Sequence, residues 1–320
     1  MNTLLDPSIL FFMFGLFAGL AKSNLEIPPQ IARFLSLYLL MALGLKGGFA
    51  LSKSGVTPEI ALSLGIAIGL AVVIPLAGYW LLRQRLDRLD AAAVAATYGS
   101  ISAVTFITAS QALDLAGIAY GGHMAAAMAL MESPAIIIAI VLANKARSPR
   151  EGSHTSLGKV LHESFTDGGQ LLLLGSLLIG LVTGEAGYKA LAPFSIDLFK
   201  GLLAFFLLDM GLMAARSLGQ IRGKPPVALA YALMAPPVHA AFALAICRLA
   251  ELPVGDTILL MVLAASASYI AVPAVLRQAL PEVNPALYLG MSLGITFPLN
   301  ILGGIPLYTA IAVWLMPAPS

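Results

Sequence analysis

The sequence predicts an all-α integral membrane protein of about ten transmembrane helices, built as a 5+5 inverted repeat in which one helix of each half is broken. Three observations predict it. Hydrophobic residues fill 59% and charged residues only 11% of the 320 positions, so lipid must be the solvent for most of the chain. Apolar runs able to cross about 30 Å of hydrocarbon recur along the whole length without strand-like alternation, and in lipid only helices or closed barrels satisfy the backbone. Motifs of the first half return in the second at a nearly constant offset.

Glycine, proline and charge clusters bound the segments at 7–21, 32–50, 59–82, 91–112, 121–144, 168–184, 196–216, 225–248, 256–277 and 285–315. The first is short enough to be mistaken for a signal peptide. It has no Lys or Arg ahead of it and no small-residue cleavage motif behind it, so it reads as a retained span. The longest connection is polar and carries Lys145, Arg147, Arg150 and Lys159. It divides the chain into a first five-helix repeat at 1–144, a linker at 145–167 and a second repeat at 168–320.

Lys and Arg set the orientation, because cytoplasmic loops hold the excess. With both termini outside, the inner side takes Lys22, Arg33, Arg83, Arg85, Arg88, the four linker residues, Arg216, Arg222, Lys224 and Arg277, which is 13 of the 18 basic residues. The expectation is a multi-pass protein of a bacterial inner membrane with a cytoplasmic linker.

Ala42-Leu43-Gly44-Leu45 in segment 2 is echoed by Asp209-Met210-Gly211-Leu212 in segment 7, and Ala95-Ala96-Thr97 in segment 4 by Ala264-Ala265-Ser266 in segment 9. Five is odd, so a repeated five-helix unit enters the membrane in opposite directions in its two copies, the symmetry that alternating access uses. Chance similarity between Ala- and Leu-rich helices is the competing explanation. The glycine pairs Gly15/Gly19, Gly44/Gly48, Gly65/Gly69 and Gly290/Gly294 are expected to be helix-packing positions.

Segments 4 and 9 are the polar anomalies, with Thr97-Tyr98-Gly99-Ser100-Ile101-Ser102-Ala103-Val104-Thr105 in one and Ser266-Ala267-Ser268-Tyr269-Ile270-Ala271-Val272-Pro273 in the other. Hydroxyls and small residues beside Gly99 and Pro273 suit a broken helix, and Pro273 disfavours helix just before it. Two inverted broken helices would aim their N-terminal ends at one point, where dipoles and free N–H groups favour a small anion. Hydroxyl and carbonyl oxygens there could hold a sodium ion. The alternative is that these Ser and Thr side chains merely bond back to their own helices.

Few ionisable residues fall inside spans: Lys46, Glu132, Asp209, His239 and Arg277. Glu132 reads either as a cation-coupling group or as half of a salt bridge with Lys46. Lys46 and Arg277 are otherwise expected to snorkel. Asp209 serves a pathway or a neighbouring helix, and His239 reads as a packing histidine. Net charge +2 without a basic tract gives no reason to expect nucleic acid. The lone Cys247 excludes an internal disulfide and, with four scattered histidines, argues against a metal site beyond sodium; no cofactor other than that ion is expected. An intramembrane hydrolase would have to pair His239 with a serine without an orienting acid. A purely structural protein would carry polar mid-membrane breaks without use.

With these motifs in place, the chain resembles the sodium-dependent bicarbonate transporter family best known from cyanobacteria. The similarity spans nearly the whole chain: LGLKGG at Leu43 to Gly48, GSISAVTF at Gly99 to Phe106, ESPAIIIAIVLAN at Glu132 to Asn144, APPVH at Ala235 to His239, AASASYIAVPAVLR at Ala264 to Arg277 and NPALYLGMSLGITFP at Asn284 to Pro298. The resemblance implies core and gate domains, sodium-driven secondary transport, trimeric assembly, and bicarbonate held between the crossed helices. Gly99, Ser102, Thr105, Ser266, Ser268 and Pro273 match family positions. Together with Ser100, Ala103, Val104 and Tyr269 they form the candidate substrate set; Thr97, Ser268 and Glu132 form the candidate cation set. Tyr269 stands where cyanobacterial members carry an acidic residue, Ala267 replaces a serine, and Glu132 stands for the family's aspartate. The linker is shorter than in those proteins, and a PII-like regulator at the cytoplasmic face is a further partner the resemblance implies. The alternative readings are a cation/proton exchanger and a transporter of a different small organic anion.

Overall fold

A computed structural model of the chain describes residues 5–55, 57–146, 167–221 and 223–316, so most of the expected linker lies outside the described residues. Every regular element among them is helical. We number the helices α1 (Pro7–Leu20), α2 (Pro29–Ser54), α3 (Pro58–Leu82), α4 (Arg88–Gly99), α5 (Ala103–Ala116), α6 (Met124–Ala146), α7 (Gly168–Ala192), α8 (Phe199–Leu218), α9 (Pro226–Leu249), α10 (Val254–Ala265), α11 (Ala271–Ala279) and α12 (Pro285–Leu315). Proline opens five of them, at a position where its missing N–H would have no intrahelical partner anyway. Asp6 and Asp167 cap α1 and α7, the Asp167 carboxylate accepting from the Gly169 and Gln170 amides at 2.9 and 3.1 Å.

Among the described residues, six stretches are long and apolar enough to cross a membrane: α2, α3, α4 with α5, α7 running into α8, α9, and α12. Their outward faces are apolar, with Val73, Leu81, Leu178, Val182, Met234 and Trp314 all exposed. Water would not tolerate so much bare hydrocarbon, and this is a multi-pass membrane protein.

The expected boundaries hold to a few residues, with one difference of substance. The segment read as 168–184 runs on to Ala192, through a kink at Gly184, whose φ of 51° is open to glycine at little cost. The glycine pairs divide. Gly15 and Gly19 lie against Leu208, Leu212 and Ala215 of α8, and Gly44 and Gly48 against Leu173 to Leu181 of α7. A Cβ on Gly48 would stand 2.7 Å from the Leu181 nitrogen, so these backbones meet as small residues permit. Gly290 and Gly294 pack on Gln220, Ile221 and the end of α8. Gly65 and Gly69, by contrast, have nothing within 4 Å of a built Cβ among the described residues.

The result is two packing groups. In one, α1 lies along α8 and α2 along α7; in the other, α3 packs on α4 and α6, and α9 on α10. Wide π-helical turns at Gly290–Thr296 and Asn300–Gly304 make α12 irregular, and they aim Thr296 and Asn300 at the broken helices.

Candidate functional site

Both polar segments are broken as their composition predicts. The first stops at Gly99, whose built Cβ would stand 2.5 Å from Cβ and Cγ of the Pro75 ring, so only glycine lets α4 lie on α3 there. The chain is non-helical over Ser100 to Ser102 and resumes as α5. The second break spans Ser266 to Ile270, and α11 begins at Ala271. Pro273 therefore sits in the first turn of α11 rather than in the gap, where its absent N–H costs no hydrogen bond.

The two breaks hold each other. The Ser102 amide donates to Ser266 Oγ at 3.0 Å, and the Ser268 amide donates to the Thr97 carbonyl at 2.8 Å. Asn300 donates to the Ala265 carbonyl at 2.8 Å, closing the end of α10, and Tyr98 shares a 2.6 Å hydrogen bond with Thr296. Helix ends broken inside a membrane protein need such partners, because their backbone groups have none within the helix.

Each restarted helix is capped by a serine. Ser102 Oγ accepts from the Thr105 amide at 3.2 Å and the Thr105 hydroxyl at 2.9 Å, while Ser268 Oγ accepts from the Val272 amide at 3.2 Å. Ser102 also donates to the Tyr269 hydroxyl at 3.3 Å, which leaves the phenolic proton free. The Tyr269 ring stands edge-on to Phe297 at 5.4 Å.

A cavity of about 630 Å³ reaches these caps from the side where the linker ends emerge. Ser102 and Ala103 line it from one break, Ser268, Tyr269 and Ala271 from the other, and Glu132 from α6; Arg33, Ser36 and Gln170 line the wall toward the linker. Two helix N-termini thus open on one space, with Arg33 at its edge and a positive field at its head. Glu132 bonds the Gln170 amide across the cavity wall.

Of the candidate set, the structure brings Ser102, Ala103, Ser268, Tyr269 and Glu132 to the cavity. Thr105 and Ser266 stand behind them and position Ser102. Gly99, Val104 and Pro273 are buried supports, and Ser100 Oγ is buried without a hydrogen-bond partner among the described residues. Thr97 is fully buried, donating to the Ala93 carbonyl at 2.8 Å, and is not among the cavity residues. Its carbonyl accepts from the Ser268 amide at 2.8 Å, while Ser268 and Glu132 both line the cavity.

Of the two readings of Glu132, the salt bridge with Lys46 is not formed. Lys46 pairs with Asp114 in the last turn of α5 and donates to the Tyr120 hydroxyl at 3.0 Å. A carboxylate at a helix C-terminus faces the negative end of the dipole, so Asp114 gains from a cation that Glu132, already bonded to Gln170, does not need. Lys46 is thus held by partners rather than merely snorkelling. His239 packs edge-on to Tyr231 at 6.3 Å, and its buried Nδ1 has no hydrogen-bond partner among the described residues. Sequence reasoning passed over Asp114, Tyr120, Gln170 and Asn300. Asn300, a lone amide inside an apolar span, was the one with a readable signal.

The family model of the Na+-dependent bicarbonate transporter superfamily matches residues 7–313. The chain belongs to that superfamily. No individual curated protein matches it. Membership in the superfamily supports a multi-pass transporter.

On the side away from the linker, the superfamily member is closed. Lys46, Asp114 and Tyr120 meet there, and a Cβ on Gly47 would stand 2.7 Å from the Gly122 carbonyl oxygen. Lys46→Met should loosen this closure. The pair is about a third exposed, so stability should fall by no more than ~1 kcal/mol. In a Cys247→Ser background, a cysteine at Ala50 should react several-fold faster with an impermeant maleimide when Lys46→Met is added. An unchanged rate would show that the pair does not hold this side shut.

Proposed function

We propose that the chain is a secondary active transporter coupling sodium to the uptake of bicarbonate or a related small anion, working by alternating access. The observation that carries this reading is the convergence of two serine-capped helix N-termini on one cavity, with no carboxylate in either break. Partial positive charge on backbone N–H groups and the free proton of Tyr269 suit an anion that accepts hydrogen bonds.

In this reading ten crossings form an inverted repeat. The gate comprises α1, α2, α7 and α8, and the core comprises the rest. The packing supports it: exchanging the halves turns the α1–α8 pair into the α7–α2 pair, and both are present. Both termini lie outside a bacterial inner membrane, which places the open cavity on the cytoplasmic side. Sodium would find oxygen ligands near Ser268 and a countercharge in Glu132. The family resemblance extends the proposal to a trimer and to a PII-like regulator at the linker face.

Uptake of labelled bicarbonate by proteoliposomes, with and without an inward sodium gradient, tests the reading. Sodium-driven uptake is expected; uptake indifferent to sodium removes the coupling, and none at all removes the substrate. Tyr269→Phe keeps the ring against Phe297 but deletes a donor to the anion, worth about 1.5–3 kcal/mol for a charged partner. KM should rise about tenfold or more with kcat nearly unchanged; an unchanged KM would take Tyr269 out of the site.

A second reading, transport of a larger organic anion, is favoured by the size of the cavity and by Leu37, Met128, Ile136 and Val275 in its lining. Competition of small carboxylates with bicarbonate separates the two. A cation/proton exchanger fits less well, because within the cavity its work would fall to Glu132, already bonded to Gln170, and to Asp167, which caps α7.

A further inference from the structure

A second large cavity, about 770 Å³, is a groove between α3 and α9 on the membrane-facing surface. Its walls are apolar along most of their length, and Val73, Leu81, Met234, Val238 and Phe242 are exposed in it. From Val73 to Leu82 the groove follows α3 for about 14 Å at 1.5 Å per residue, and Gln84 and Arg85 line it in the turn beyond. That is close to one leaflet, about 15 Å of hydrocarbon.

Its polar end is basic. Arg85 lines the mouth, makes no ion pair among the described residues, and is followed by exposed Arg88. The carboxylate two residues on, Asp87, caps α4 through the Leu89 amide. About 6 Å further in, four residues along α9 from Val227, the Tyr231 hydroxyl is buried in the groove wall with no hydrogen-bond partner among the described residues. A buried donor in lipid without an acceptor is costly, and the groove wall is where an acceptor would arrive.

We propose that this groove binds one anionic phospholipid of the linker-side leaflet. The phosphate rests on Arg85, a glycerol-ester carbonyl accepts from Tyr231, and an acyl chain lies along Met234, Val238 and Phe242. Basic pockets between transmembrane helices recognise such headgroups by charge, and each basic residue near the surface contributes a comparable increment. The inference needs only that the chain spans a bilayer and is independent of the transported solute.

Native mass spectrometry of the full chain, released from micelles holding equal dioleoyl phosphatidylglycerol and dioleoyl phosphatidylcholine, tests it. Wild type should retain one phosphatidylglycerol in preference to phosphatidylcholine. Arg85→Gln should reduce that preference about fivefold, the effect of one basic residue. Met234→Trp, which fills the groove and leaves the charge intact, should remove the retained lipid; Val238→Trp takes its place if that variant elutes as aggregate. Equal retention of both lipids by wild type overturns the proposal. So does a preference untouched by Arg85→Gln, or one that survives the filled groove, which would put the lipid on general loop charge.

Discussion

Ser102→Val should abolish uptake in protein that still inserts and folds, and Ser268→Val should do the same from the other half. Valine keeps the branched shape, but it removes the acceptor for the Thr105 amide and hydroxyl and the donor to Tyr269. An unsatisfied buried amide costs about 1–3 kcal/mol, enough to lower the thermal midpoint by some degrees without unfolding the chain. The effect on the solute is larger. The first turn of α5 loses its cap, the Tyr269 hydroxyl its fixed direction, and the anion the aligned donors that hold it. Two charge-assisted contacts at about 1.5–3 kcal/mol each correspond to a loss of a hundredfold or more. Proteoliposome uptake alongside size-exclusion and thermal unfolding reads both quantities. Wild-type uptake by a folded Ser102→Val protein would move the site away from the breaks.

The second large effect is steric. Gly99→Val would put a Cβ 2.5 Å from two atoms of the Pro75 ring and 2.7 Å from a third. A proline ring has no rotamer to yield, and it sits inside α3, itself packed on α4 and α6. Overpacking costs about 1–3 kcal/mol where neighbours can adjust and more where they cannot. Most of the protein should elute as aggregate. Gly99→Ala should already lower the thermal midpoint, and Pro75→Gly should recover part of that loss, since the two residues act through one contact. A Gly99→Ala protein with the wild-type midpoint would show that α4 shifts freely on α3.

The two breaks were legible because their causes are local. Gly99 and Pro273 lie within or beside runs of hydroxyls in otherwise apolar spans, and no continuous helix in lipid needs that chemistry. The same reasoning placed the second gap next to Pro273 itself; the gap lies at Ser266 to Ile270 because proline is welcome in a first turn. Contacts between distant segments were not legible. Lys46 meets Asp114 across 68 residues and Glu132 meets Gln170 across 38, and nothing in either neighbourhood specifies the partner. The glycine pairs show the same limit. Gly44/Gly48 and Gly65/Gly69 share one spacing, yet only the first meets another backbone among the described residues, because spacing marks a smooth helix face without saying what lies against it.

The cross-bonds from Ser102 to Ser266 and from Ser268 to Thr97 have a consequence for counting. Two similar halves, taken separately, would each offer a place for a solute. Here each break completes the other, and both restarted helices open on a single space. Under the proposed function that space would take one solute per chain per cycle, and any sigmoidal response would have to originate between chains, since a single seat has no second to cooperate with.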